Sequence, residues 1–242
     1  MPEVIFPGPA GRIEGRYAEP PRENAPIALI LHAHPRAGGS MQDRVTVQLF
    51  QIFTRAGFAT LRFNFRGIGR SQGVFDNGMG ELQDAASALD YLQNLNPNAE
   101  QCWVAGYSFG AWIGLQLLMR RPEIDGFIAC SPPANHYDLS FLAPCPSSGL
   151  IVYGTRDGVA PASDVDRVVS KIRTQKNIVV DSSPIDGADH FYRNAADKSV
   201  DLLPELERRV SAYLEERMKP APPPPPQIRG KGKVAPPREQ PE

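Results

Sequence analysis

The feature that most constrains this chain is a repeated alternation of short, unbroken apolar runs with stripes of helical period. Ile27-Ala28-Leu29-Ile30-Leu31 is apolar at every position, as expected of a strand covered on both faces. Cys102–Tyr107, Gly126–Ser131 and Gly149–Tyr153 repeat that pattern. Between such runs, Leu49, Ile52, Phe53 and Ala56 recur at helical spacing and stop at Gly57. Leu82, Ala85, Ala86 and Leu89 make a second stripe, closed by Asn96-Pro97, and Phe109–Arg120 makes a third. Val165, Val168, Val169 and Ile172 mark a helix ahead of a strand at Ile178–Asp181. Leu203, Leu206, Val210, Tyr213 and Leu214 mark a last one. Strands separated by helices imply a parallel sheet with helices on both faces. Val4–Phe6 and Ile13–Tyr17, parted by Gly8, Pro9 and Gly11, predict an antiparallel opening hairpin.

Composition removes several classes of function. Lys and Arg total 26 against 27 Asp and Glu in 242 residues, so no positive excess exists to attract a polyanion, and a nucleic-acid binder is not expected. No apolar stretch approaches the ~20 residues of a membrane span, and Met1-Pro2-Glu3-Val4 lacks the pattern of a secretory signal. Cys102, Cys130 and Cys145 form no C-x-x-C pair, so they read as reduced thiols of a cytoplasmic protein. From Pro220 onward the chain holds nine prolines and little to bury. The expected division is one domain over 1–218 and a disordered, basic, proline-rich tail over 219–242. The five-proline run suits docking in an aromatic groove of some partner, and the stripe on the last helix fits either a homodimer contact or burial against its own sheet.

In parallel sheets of this kind, reactive groups gather outside the carboxyl ends of the strands. Gly106-Tyr107-Ser108-Phe109-Gly110 fits G-x-S-x-G between an apolar strand and an apolar helix. A sharp turn there exposes the serine and aims the helix N-terminus at it, which makes Ser108 the candidate nucleophile and the Phe109 amide an oxyanion donor. A serine hydroxyl needs a base to take its proton. Of the four histidines, His190 follows a late strand in Gly187-Ala188-Asp189-His190, and Asp157 leaves the preceding strand in Gly154-Thr155-Arg156-Asp157. His190 is therefore expected as base and Asp157 as its orienting carboxylate. Asp189, adjacent in sequence to the histidine, is poorly placed to face it; Asp164 and Asp138 are further alternatives to Asp157.

Acyl transfer calls for a second oxyanion donor, expected in the loop His32-Ala33-His34-Pro35-Arg36-Ala37-Gly38-Gly39. The Arg36 amide is the first choice and Ala37 the second, with His34 bracing the loop through a hydrogen bond. His32 and His34, two apart, also suit metal ligation, but no second cluster of ligands accompanies them and no metal is expected. Gly67-Ile68-Gly69-Arg70-Ser71-Gln72-Gly73 approximates a dinucleotide-binding loop with its third glycine one residue late; a tight turn beside the site fits better. His136 is read as a loop residue on the rim.

Together these segments resemble the α/β-hydrolase superfamily, in particular small bacterial serine hydrolases. The resemblance is carried by His34-Pro35, by Asn64 to Gly73 (N-F-R-G-x-G-x-S-x-G), by Gly106 to Ala111 (G-Y-S-F-G-A) and by Gly187 to Phe191. It spans nearly all of 1–218. The chain departs from relatives at His32-Ala33, where many carry His-Pro, and at Thr155, where many carry Asp. The resemblance implies an α/β-hydrolase fold, a Ser-His-Asp triad and no cofactor. The expected reaction is hydrolysis of a carboxylic ester or related acyl bond of a small-molecule acyl substrate. The same triad would serve an acyltransferase or a thioesterase, and a hydrolase scaffold can also act as a non-catalytic interaction protein. About 17 residues separate Ser131 from Gly149, too few for a helical cap domain.

Overall fold

The computed structural model describes residues 2–172 and 178–219. Eight strands form one sheet in the order β1-β2-β4-β3-β5-β6-β7-β8. β1 (Glu3–Gly8) and β2 (Gly11–Ala18) make the antiparallel hairpin, and β2 continues antiparallel onto β4 (Ala59–Phe63). From β4 the sheet is parallel through β3 (Ile27–Leu31), β5 (Cys102–Tyr107), β6 (Gly126–Cys130), β7 (Ser148–Gly154) and β8 (Val180–Ile185).

Side chains alternate along a strand, so each central strand feeds two cores. Leu29 and Leu31 of β3 and Val104 of β5 join the core on one face, while Ala28, Ile30, Ala105 and Tyr107 join the other. The first face is covered by α2 (Met79–Leu95), α3 (Phe109–Leu118) and α4 (Ala162–Ile172), the second by α1 (Arg44–Arg55) and α5 (Leu203–Arg217). The stripe on α5 is spent inside the molecule, because Leu206, Val210 and Leu214 pack on its own sheet.

The structure adjusts some boundaries. α1 begins at Arg44, with the Asp43 carboxylate capping the Thr46 amide at 2.9 Å. The last strand runs Val180–Ile185 rather than Ile178–Asp181. It is an edge strand with one hydrogen-bonded neighbour, and an edge tolerates Ser182, Ser183 and Pro184 where a central strand would not. The tail after Lys219 lies outside the described residues. Between β6 and β7 the only helical element is the 3-10 turn Ser140–Leu142, so among the described residues no helical cap covers the carboxyl ends of the strands.

Candidate active site

Ser108 sits at the junction of β5 and α3 with φ 54° and ψ −119°. Positive φ is costly for a non-glycine residue and persists only where surroundings enforce it. Here Gly106 and Gly110 allow the close approach. A Cβ on Gly106 would lie 2.3 Å from the Gly110 carbonyl oxygen, and one on Gly110 would lie 2.4 Å from that of Leu31. The Ser108 amide is tied to the Cys130 carbonyl at 2.8 Å.

Three separated residues converge at this turn. His190 Nε2 lies 3.0 Å from Ser108 Oγ, and His190 Nδ1 lies 2.8 Å from Asp157 Oδ2. The neutral imidazole satisfying both contacts carries its proton on Nδ1, donates it to Asp157 and accepts the serine O–H. Asp157 is itself held, because its Oδ1 accepts the amides of Val159 and Ala160, each at 2.8 Å. Asp189 faces away. Its carboxylate accepts the Phe191 and Arg193 amides and pairs with Lys198 at 2.6 Å. Burial works against its charge, yet these donors hold its pKa below the usual carboxylate value. Asp138 caps Ser140, and Asp164 pairs with Arg167.

The loop after β3 corrects one expectation. The Arg36 amide donates to His34 Nδ1 at 3.1 Å, and the Ala37 amide to the His34 carbonyl at 2.9 Å. Both N–H groups are consumed inside the 3-10 turn Pro35–Ala37, so neither is available to an oxyanion. The His34 and Phe109 amides have no hydrogen-bond partner among the described residues. The sequence does not single out the His34 amide, because which N–H of a loop stays unpaired leaves no compositional trace. His34 lies 4.9 Å, ring to ring, from both Phe75 and Phe109, and burial lowers its pKa.

His32 is fully buried, with Nε2 accepting the Phe65 amide at 3.0 Å and Nδ1 2.7 Å from the Ala33 carbonyl. Burial pushes its pKa down to about 4. Both ring nitrogens are therefore occupied by backbone, and no metal-binding cluster occurs among the described residues. The glycine-rich turn at 67–73 is a brace. Ser71 Oγ donates to the Asn64 carbonyl at 2.6 Å and accepts the Glu14 amide, while Glu14 accepts from Asn64 and the Arg70 amide.

A cleft of about 600 Å³ opens over Ser108 and His190, walled by Phe109, Tyr137, Val159 and Phe191, with His136 at its mouth. Another residue not anticipated from the sequence stands behind it: the Tyr107 hydroxyl donates to the His190 carbonyl at 2.9 Å.

A mostly parallel sheet with a serine on a strained strand-to-helix turn defines an α/β serine hydrolase. The family described as serine aminopeptidase, S33, matches residues 25–147, and the chain belongs to that family. It is 52% identical over 218 residues to the uncharacterized protein RP471 of Rickettsia prowazekii (strain Madrid E), covering 88% of this chain and 89% of that one. A solved structure of ATU1826, a protein of unknown function from Agrobacterium tumefaciens, is 56% identical with a TM-score of 0.83, covering 91% of this chain and all of that one. XC6422 of Xanthomonas campestris, described as an α/β serine hydrolase without lid, is 25% identical with a TM-score of 0.75, covering 92% and 96% of the two chains. No described helix is long and apolar enough to cross a membrane.

Proposed function

We propose that this chain hydrolyses a carboxylic ester or a closely related acyl bond of a small molecule through an acyl-enzyme. The observation that carries the reading is the unbroken chain Ser108–His190–Asp157 at 3.0 and 2.8 Å beneath an open cleft. Ser108 Oγ adds to the carbonyl carbon while its proton passes to His190 Nε2, and Asp157 stabilises the imidazolium. The negative oxygen is received by the Phe109 and His34 amides; one such donor is worth about 2.7–4 kcal/mol in the transition state. Collapse expels the alcohol, which takes the proton from His190. Water then gives a proton to His190 as it attacks the acyl-enzyme, and the acid departs with Ser108 restored.

An uncapped cleft leaves the acyl-enzyme open to water, which favours hydrolysis over transfer to another acceptor. No step calls for a cofactor. Burial of Cys102, Cys130 and Cys145 as free thiols supports the cytoplasm as the compartment.

Labelling by a fluorophosphonate and turnover of p-nitrophenyl butyrate test the reading. The wild-type chain is expected to do both and Ser108→Ala neither. A wild-type chain that takes no label and turns over no ester would sink it.

A further inference from the structure

Tyr107 is the last residue of β5 and immediately precedes Ser108. Its side chain is buried on the sheet face opposite α3, beside Ala105, Cys130 and Val152. From there its hydroxyl reaches the His190 carbonyl at 2.9 Å, across 83 positions of sequence, and its ring centroid lies 5.2 Å from the imidazole. Apart from the contacts of the imidazole itself, the other bonds that grip the histidine turn among the described residues fall on either side of His190. Asp189 accepts the Phe191 and Arg193 amides, and the Tyr192 hydroxyl donates to the Val152 carbonyl at 3.0 Å. Among the described residues, Tyr107 is the sole hydrogen-bond partner of the His190 carbonyl.

We propose that Tyr107 is a positioning residue whose hydroxyl tethers the backbone of His190 to the strand that carries Ser108, and so sets the imidazole between Ser108 and Asp157. This rests on the serine-hydrolase reading given above. Tether and nucleophile are consecutive residues, Tyr107 the last of β5 and Ser108 the turn that follows it, so the distance from base to nucleophile is referenced to one end of a central strand. The turn at Ser108, with φ 54°, leaves its hydroxyl open to the cleft, while the Tyr107 side chain stays in the core beneath and anchors the histidine from there. Burial raises the phenol pKa well above its ordinary value, so the hydroxyl keeps its proton to donate throughout the neutral range. A phenylalanine would fill the same volume. Only the tether needs the oxygen.

Tyr107→Phe in the full chain tests this, with kcat normalised to sites counted by fluorophosphonate titration. Small displacements of a catalytic group cost one to two orders of magnitude, so kcat should fall about tenfold with KM nearly unchanged. In the proton NMR spectrum, the hydrogen-bonded His190 Nδ1–H, assigned by its absence in His190→Asn, should broaden or vanish. A variant with normal kcat per site and only a lower melting temperature would overturn the proposal, as would a raised KM with kcat intact. Should the wild-type chain turn over no ester, the enzymatic reading falls, and the imidazole resonance alone judges the tether. An identical Nδ1–H signal in wild type and Tyr107→Phe would then refute it.

Discussion

Asp157 and Asp189 leave successive strands, yet only Asp157 reaches the histidine. The difference is local geometry: Asp189 precedes His190, and its carboxylate curls onto the amides of its own turn. Asp157, 33 positions upstream, approaches Nδ1 directly at 2.8 Å. The two carboxylates therefore predict different mutant phenotypes. Asp157→Asn should lower kcat by about 10⁴-fold with the fold intact, because an amide no longer selects the productive tautomer. Asp189→Asn retains an oxygen for the two amides and should leave kcat nearly unchanged. Steady-state kinetics on p-nitrophenyl butyrate, with circular dichroism as the check on folding, distinguish the two; equal losses would move the acid to Asp189 or to neither. Ser108, His190 and Asp157 could be singled out as candidates from the sequence because motif and strand order restrict where such residues fall, and the structure brings the three side chains together. The Tyr107 hydroxyl was not, since its partner is a backbone carbonyl that any residue would supply.

Elements meet at the cleft through small polar links rather than through apolar packing alone. His32 at the exit of β3 accepts the Phe65 amide beyond β4, so a neutral imidazole joins two neighbouring strand exits. Its folded pKa of about 4 stands below the ordinary 6.5. Between those values the unfolded chain binds a proton that the folded chain refuses, so stability rises with pH across this window. The contribution is complete above pH 6.5, is lost as pH falls toward 4, and amounts to about 3 kcal/mol. The melting temperature of the wild-type chain should fall across that interval, and that of His32→Gln, which can still offer an oxygen to Phe65, should fall less. Calorimetric scans between pH 7.5 and 4.5 check this; parallel slopes would assign the acid sensitivity to other groups. Legibility differed among the strands for a related reason. β3 and β5 are buried along their whole length and read as unbroken apolar runs. β8 lies at an edge, where half-exposed Asp181 and Ser182, a buried Ser183 and an exposed Pro184 conceal it.

At the scale of the whole molecule, the short connection between β6 and β7 leaves the cleft uncapped, and Val159 and Phe191 stand 41% and 54% exposed on its rim. An acyl chain beyond the first few carbons would run into solvent rather than into a tunnel. Turnover of p-nitrophenyl esters should therefore vary gradually from acetate to octanoate, and a sharp optimum at a long chain would contradict the open-cleft account. The sequence by itself determined the alternation of strands and helices, the two-faced burial of the central strands and the order in which the proposed nucleophile, acid and base follow one another. Periodicity and turn chemistry act between residues near one another in the chain, so they are written locally. Only the tertiary structure decided which amides of the loop after β3 stay unpaired, and that the Tyr107 hydroxyl meets the His190 carbonyl. Those outcomes depend on distances between segments tens of residues apart, and such distances exist only once the sheet has assembled.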